Sequence, residues 1–304
     1  SPRNNPFMTR SRSNRSGFEQ RLLRTLRAMD LRDGTRVTLG FSGGFDSLAL
    51  AAASAQVARS LGIELKLVHV DHGLRRTSSD DANACREQAV ELQLPIEVVT
   101  IERGLEEQSS GLGLEEVARR ARYQALANAA TAWDSRHLML GHQAYDQAET
   151  MLMHLFRGSG IDGVAGMRPS IERRIPWWAP ADSPSVELTI LRPLLAESRD
   201  SIESYLRACG LEPIADETNQ SVDFDRNWVR HEILPHILAR WPGAIDAMQR
   251  SAFVIDRDRQ FLDEGGTATL QRALNDDRTL STDTLVRVDP VFATRAIRQW
   301  LRVI

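Results

Sequence analysis

Six residues, Ser42-Gly43-Gly44-Phe45-Asp46-Ser47, put two hydroxyls, a carboxylate and two glycines between the apolar runs Val37–Phe41 and Leu48–Ala53. That order spells a buried strand, a tight turn and a helix that begins at the turn. Such a turn aims backbone N–H groups, hydroxyls and the positive helix end at one point, which suits a phosphate group. Gly43 and Gly44 permit positive φ and close backbone approach. No lysine follows the glycines, so this is not the GxxxxGK(S/T) loop that holds a γ-phosphate. Taken alone, the same turn also serves as a plain connection in an α/β sheet.

Positioning the turn requires a sheet. Ile63–Val70, Ile96–Ile101, His137–Leu140 and Leu188–Leu191 read as further strands. Helical spacing marks Phe18–Met29, residues 80–93, Glu115–Trp133, Asp146–Phe156 and Ser198–Ala208. Strands alternating with helices predict an α/β fold, a Rossmann-like parallel sheet flanked by helices and linked by right-handed crossovers. Ligands of such sheets sit beyond the carboxyl ends of the strands. Asp71-His72-Gly73-Leu74-Arg75 and Gly141-His142, with Asp146 and Glu149 soon after, fall at those ends. Residues 168–187 hold Pro169, Pro176, Pro180 and Pro184 with Trp177-Trp178, and read as a loop or hairpin insertion whose tryptophans anchor it or else stack on a nucleic-acid base. From His231 onward the patterns are helical only, including Ala252–Leu262, Thr267–Leu274 and Val291–Ile304. The expected organisation is a disordered arm over 1–16, a catalytic domain over 17–215, a polar linker over 216–235 and a smaller all-α domain over 236–304.

A chain of 304 residues suits two cores. Its net charge of −3 argues against wholesale nucleic-acid binding. Lys66 is the single lysine, and the other basic side chains are arginines, which can both pair with phosphate and stack on bases. Two cysteines far apart, Cys85 and Cys209, make a disulfide framework or thiol-metal site a poor expectation. No stretch is apolar enough to span a membrane, and the expected location is cytoplasmic.

SGGFDS resembles the pyrophosphate loop of the N-type ATP pyrophosphatases, the PP-loop superfamily, which cleave ATP to AMP and pyrophosphate. VHVDHGLR at 68–75, ARRARYQAL at 118–126, GHQAYDQAETMLMHLFRGSGIDGVAGM at 141–167, LRPLL at 191–195, DETN at 216–219 and DRNWVRHEILP at 225–235 narrow the resemblance. Together they resemble the tRNA(Ile)-lysidine synthetases across residues 37–235. The resemblance implies ATP and Mg²⁺ as cofactors, with free L-lysine and an isoleucine tRNA of CAU anticodon as substrates. ATP would adenylate the C2 oxygen of the wobble cytidine, and lysine would then displace AMP. The oligomeric state stays open, a homodimer included.

The resemblance also distributes roles. Ser42, Gly43, Gly44, Asp46 and Ser47 would bind the departing phosphates, Asp46 would hold Mg²⁺, and Phe45, at a variable position, would pack inward. The alternative for Asp46 is a plain helix cap. His72 would touch the AMP moiety or hydrogen-bond within its turn, and Arg75 beside Arg76 stays ambiguous. Arg119 and Arg122, three apart on one helical face, would face the nucleotide or adenylated base, or form a solvated face. Asp146 and Glu149 would receive the ammonium groups of lysine, although acids also favour helix N-termini. Arg157, in Arg157-Gly158-Ser159-Gly160, would line the substrate side, or the glycines would merely stop a helix. Arg192, Arg226, Asn227 and Arg230 would face RNA phosphate or the nucleotide, or make ion pairs at a domain junction. Two positions depart from the family pattern: Tyr145 stands where an acid is common, and Gln143 where a second histidine usually follows His142.

Other reactions use the same turn. A tRNA thiolase would need clustered thiols, a glutamine-fed synthetase an ammonia source, and a non-catalytic nucleotide-binding module would leave Asp146, Glu149 and the RGSG loop without a task.

Overall fold

The computed structural model describes residues 12–71, 78–101, 113–180, 182–214 and 225–301. In chain order it places α1 (Arg12–Ala28), β1 (Arg36–Gly40), α2 (Phe45–Leu61), β2 (Glu64–Asp71), α3 (Ser78–Leu92), β3 (Ile96–Thr100), α4 (Leu114–Ala132), β4 (His137–Met139) and α5 (Ala144–Phe156). There follow α6 (Ile161–Val164), β5 (Ser170–Ile175), β6 (Val186–Leu191), α7 (Arg199–Cys209), α8 (Asp225–Trp228), a π-helical turn (Val229–Ile233) and α9 (Leu234–Arg240). Finally come α10 (Ala244–Ala273), α11 (Thr282–Leu285) and α12 (Pro290–Trp300).

The strands form one sheet in the order β3-β2-β1-β4-β6-β5. β1 runs parallel to β2 and β4, in registers that set Leu39 beside Leu67 and Met139. β3 is parallel to β2 and β6 to β4, whereas β5 returns antiparallel to β6. Both sheet faces are covered, so Val37, Thr38 and Leu39 of β1 are wholly buried and the strand reads as an unbroken run. On one face α1, α2 and α7 pack Phe18, Leu22, Leu48, Leu50, Ile202 and Tyr205 against Leu39 and Leu67. Phe18 stacks on Tyr205 with ring centroids 4.5 Å apart. On the other, Tyr123, Leu126 and Ala130 of α4 meet Leu138 and Ile190, and Trp177 and Trp178 pack alongside. The insertion is thus a hairpin held down by its tryptophans. A third cluster joins Ala144, Ala148 and Leu152 of α5 to Val229, Leu234 and Ile245.

From β1 the chain crosses to β2 and β3 on one side, and β4 lies on the other. The carboxyl ends of β1 and β4 therefore flank the crevice where strand order reverses, the usual ligand position in open α/β sheets.

Several expectations change. Residues 12–16, read as part of the arm, form the start of α1. The described part of the expected linker, 225–235, is helical and packs on α5 rather than hanging between domains. The patterns around Ala252–Leu262 and Thr267–Leu274 belong to one 30-residue helix, α10, which runs through Gly265-Gly266. A Cβ on Gly265 would lie 2.2 Å from Cε1 of Phe292, and one on Gly266 2.6 Å from Cβ of Arg295. The glycines mark where α12 crosses α10, not a break.

Candidate functional site

The turn after β1 takes the shape its residues demand. Gly43 has φ of +74°, and a Cβ there would fall 2.3 Å from Cδ1 of Ile214 and 2.8 Å from Oε1 of Gln88. Only glycine fits. Gly44 is the N-cap of α2 and offers no side-chain cap, leaving the amides of the first turn available to an anion. The Oγ of Ser47 accepts from the Ser42 amide at 3.2 Å and lies 3.0 Å from the Ser42 Oγ. Phe45, expected to pack inward, lies instead on the cleft rim and is 43% exposed, because the first turn of α2 faces the cleft there.

Asp46 has no hydrogen bond or ion pair among the described residues. Its burial and the nearby Asp146 carboxylate push its pKa up to about 7, against the pull of Arg230 and Arg199. A half-buried carboxyl beside another acid holds its proton more tightly than a free one.

At the end of β4, Gly141 is pressed against this turn: a Cβ there would lie 3.0 Å from the carbonyl carbon of Asp46 and 3.1 Å from the Ser47 amide nitrogen. That contact brings α5 beside the start of α2. Gln143, at the position that departs from the family, caps α5. Its Oε1 accepts from the Tyr145 amide at 2.9 Å, while the Asp146 Oδ2 accepts from the Gln143 amide at 2.9 Å. Asp146 therefore caps the helix with one oxygen and offers the other to the site.

Glu149 is fully buried and carries two arginines. Arg226 Nε donates to its Oε2 at 2.9 Å, and Arg230 Nε to its Oε1 at 2.6 Å. Arg230 Nη2 reaches the Asp146 Oδ1 at 3.0 Å. Arg226 and Arg230, read from sequence as RNA contacts, are thus spent on the acid pair, because a buried carboxylate must be neutralised. The junction ion pair left open in the sequence is what forms, and a π-helical turn, a form often found at functional sites, carries Arg230 into it.

These walls enclose an open cleft of about 2970 Å³. Ser42, Gly44, Phe45, Asp46, Ser47, Arg119, Arg122, His142, Asp146, Arg157, Arg192, Arg226, Asn227 and Arg230 all line it. Arg119 pairs with Glu116 at 2.9 Å and lies 5.3 Å from the Trp177 ring. Arg122 has no ion-pair partner among the described residues and lies 5.9 Å from the Tyr123 ring. Enclosure by the cleft, with Arg119 and Arg226 nearby, holds its pKa below the usual arginine value. Arg157 bonds Asp225 at 2.6 Å, both at the surface. Arg192 is buried; its Nη1 donates to the Arg168 carbonyl at 2.9 Å, and its Nε has no partner. His72 and Arg75 lie outside the described residues.

Two participants carry little sequence signal. His142 lines the cleft with its Nδ1 buried and unpartnered. Burial, then Arg192, Arg226, Arg122 and Arg119, hold its pKa well below the usual histidine value, so the ring is uncharged near neutrality. Gln147 grips the loop 165–167, accepting from the Met167 amide at 2.7 Å and donating to the Met167 carbonyl at 3.1 Å. The position of His142 at a strand end was the one hint available; nothing local distinguishes Gln147 from a surface glutamine.

A family model described as PP-loop domain matches residues 15–237. The tRNA(Ile)-lysidine synthase of Salinispora arenicola is 39% identical over 274 residues, covering 90% of this chain and 78% of that protein. The enzyme of the same name from Vibrio campbellii is 34% identical over 280 residues, covering 89% of this chain and 59% of the relative. Against three such curated relatives the chain spans only 46–59% of their length, about half. Among solved structures, the U34-tRNA thiolase NcsA of Methanococcus maripaludis, with its 4Fe-4S cluster, superposes with a TM-score of 0.63 at 17% identity, covering 79% of each chain. That likeness is one of fold. Among the described residues no helix is long and apolar enough to cross a membrane. The family match and the relatives together place this chain in the PP-loop family, among the tRNA(Ile)-lysidine synthases.

Proposed function

We propose that the chain ligates free L-lysine to C2 of the wobble cytidine in an isoleucine tRNA with a CAU anticodon, at the expense of ATP. Ser42, Gly43, Gly44 and Ser47 cradle the β- and γ-phosphates at the start of α2. The cytidine O2 attacks the α-phosphorus, the bond to the bridging oxygen breaks, and pyrophosphate leaves. Lysine then attacks C2 through its ε-amine, the C2–O bond breaks, and AMP leaves. The first step is what makes the second feasible, since a ring carbonyl oxygen is a poor leaving group and an adenylate a good one. With a pKa of about 10.4, the amine must shed a proton before it attacks.

Bound Mg²⁺ would neutralise charge between phosphate oxygens. Asp46 is the residue suited to hold it: a hard oxygen donor, unpaired, and raised in pKa by its burial and Asp146. Asp146 and Glu149 receive the ammonium of the substrate lysine. In the free protein Arg230 and Arg226 occupy those oxygens, so lysine enters by displacing guanidinium groups from carboxylates. Arg122 and Arg119 offset the charge developing at the phosphate. Arg157, Arg192 and Asn227 meet the RNA along the cleft, and the helices of 236–304 hold the body of the tRNA. A cytoplasmic location follows from that substrate.

One observation supports the reading: with Gly141 pressed against Asp46, the phosphate turn and Asp146 line one cleft, and Glu149 is buried behind Asp146. The test mixes protein, ATP, labelled lysine and tRNA transcripts. Label entering only the CAU isoleucine tRNA, with AMP released in equal amount, supports the assignment. ATP binding without label in any tRNA defeats it.

A further inference from the structure

Resting on the reading above, we infer that His142 and Arg192 read the target base through its hydrogen-bonding edge, His142 accepting from the 4-amino group and Arg192 donating to the ring acceptors. Two polar atoms of opposite kind are left over in this cleft: Nδ1 of His142 and Nε of Arg192, both buried and without a partner. Buried polar groups are almost always satisfied, so two orphans on neighbouring side chains mark a place where a ligand completes the bonding.

The ligand's pattern follows from what surrounds them. Arg119, Arg122, Arg192 and Arg226 bring only donors toward His142. A ligand amine among them finds no acceptor on an arginine. The carboxylates of Asp146 and Glu149, held by Arg226 and Arg230 in the free protein, are the acceptors assigned above to the lysine ammonium. An uncharged imidazole keeps one unprotonated nitrogen, and in the tautomer with its proton on Nε2 that nitrogen is the orphaned Nδ1. Arg192 supplies the complementary N–H and is held in place by the Arg168 carbonyl. One donor beside two acceptors is the edge of cytosine: the 4-amine, N3 and O2.

The backbone on either side of His142 is fixed. Gly141 abuts the start of α2, and Gln143 caps α5. The ring therefore stands between the phosphate turn and the acid pair, where a base must lie for its O2 to meet the α-phosphorus. Accepting from the 4-amine also pushes electron density through the ring toward O2, the attacking atom.

The test uses full-length CAU tRNA carrying at the target position either cytidine or a pyrimidin-2-one ribonucleoside, which lacks only the 4-amine. The readout is kcat/KM for AMP transfer to RNA without lysine. The wild type is expected to lose about 10- to 100-fold on removal of the amine. His142→Phe should lose as much on cytidine and show no further loss on the pyrimidinone. His142→Asn, whose amide oxygen reaches a similar position, should recover part of the discrimination, and guards against a variant that merely misfolds. Arg192→Lys, which keeps the charge but lacks Nε–H, should lose on both substrates alike. Retention of the wild-type ratio by folded His142→Phe, or wild-type indifference to the amine, overturns the inference while AMP transfer itself stands. No AMP transfer by the wild type to any tRNA sinks the parent reading, and this one with it.

Discussion

Asp46 is a carboxyl whose ionisation the surroundings oppose. Unfolded, it ionises near 3.8; folded, burial and Asp146 raise it to about 7. Between those values unfolding releases a proton, so this residue lowers stability as pH rises through the window. Asp46→Asn should therefore raise the melting temperature of the ligand-free protein at pH 8 and leave it unchanged below about pH 3.8; an equal shift at both pH values would contradict the assignment. The same variant should lose Mg²⁺-dependent ATP binding, measured by calorimetry. Asp146→Asn preserves the cap on α5, since an amide oxygen also accepts. It removes one charge-assisted bond, so KM for lysine should rise about 10- to 100-fold while AMP transfer to tRNA changes far less. Equal loss in both steps would move Asp146 out of the lysine site.

The crossing of α10 and α12 allows the sharpest test at the level of elements. Gly265→Ala would drive a methyl into the Phe292 ring. It should cost about 1–3 kcal/mol in denaturant unfolding, the usual penalty of overpacking, and weaken tRNA binding with ATP binding retained. This crossing also marks a limit of reading the chain from its letters. Strands, crossovers and the SGG turn declare themselves locally, through apolar runs and glycine chemistry, and the sheet followed directly. Gly265-Gly266 looks like punctuation, because a close helix approach depends on Phe292 and Arg295, some 30 residues away. Arg226 and Arg230 failed to declare their partners for the same reason: only the tertiary fold brings a polar segment onto Glu149. That Asp146 and Glu149 share a helical face was legible from their spacing, whereas the orphaned nitrogen of His142 is a fact of packing that no pattern encodes.

Across the whole molecule, the helical region grips the catalytic one through charge. Arg295 of α12, with only 8% of its side chain exposed, bonds Asp162 of α6 at 3.1 Å and also pairs with Asp263 of α10. Arg298 adds a second contact to Asp162 at 3.3 Å. Asp162→Asn should weaken this latch and raise KM for tRNA several-fold, leaving ATP binding measured without tRNA near wild type; unchanged tRNA kinetics would show the latch idle. A further tie runs under the nucleotide turn itself. The Ile214 amide donates to the Gly43 carbonyl at 3.0 Å, and Gln88 spans from that carbonyl, at 3.3 Å, to the Glu212 carbonyl at 3.0 Å. Eleven residues past Ile214 the same chain begins the helix that carries Arg226 and Arg230. The stretch of chain tied to the glycine turn thus leads on to the two arginines that hold Asp146 and Glu149, and on the proposed function initial-rate kinetics should show nucleotide binding ahead of lysine in an ordered sequence.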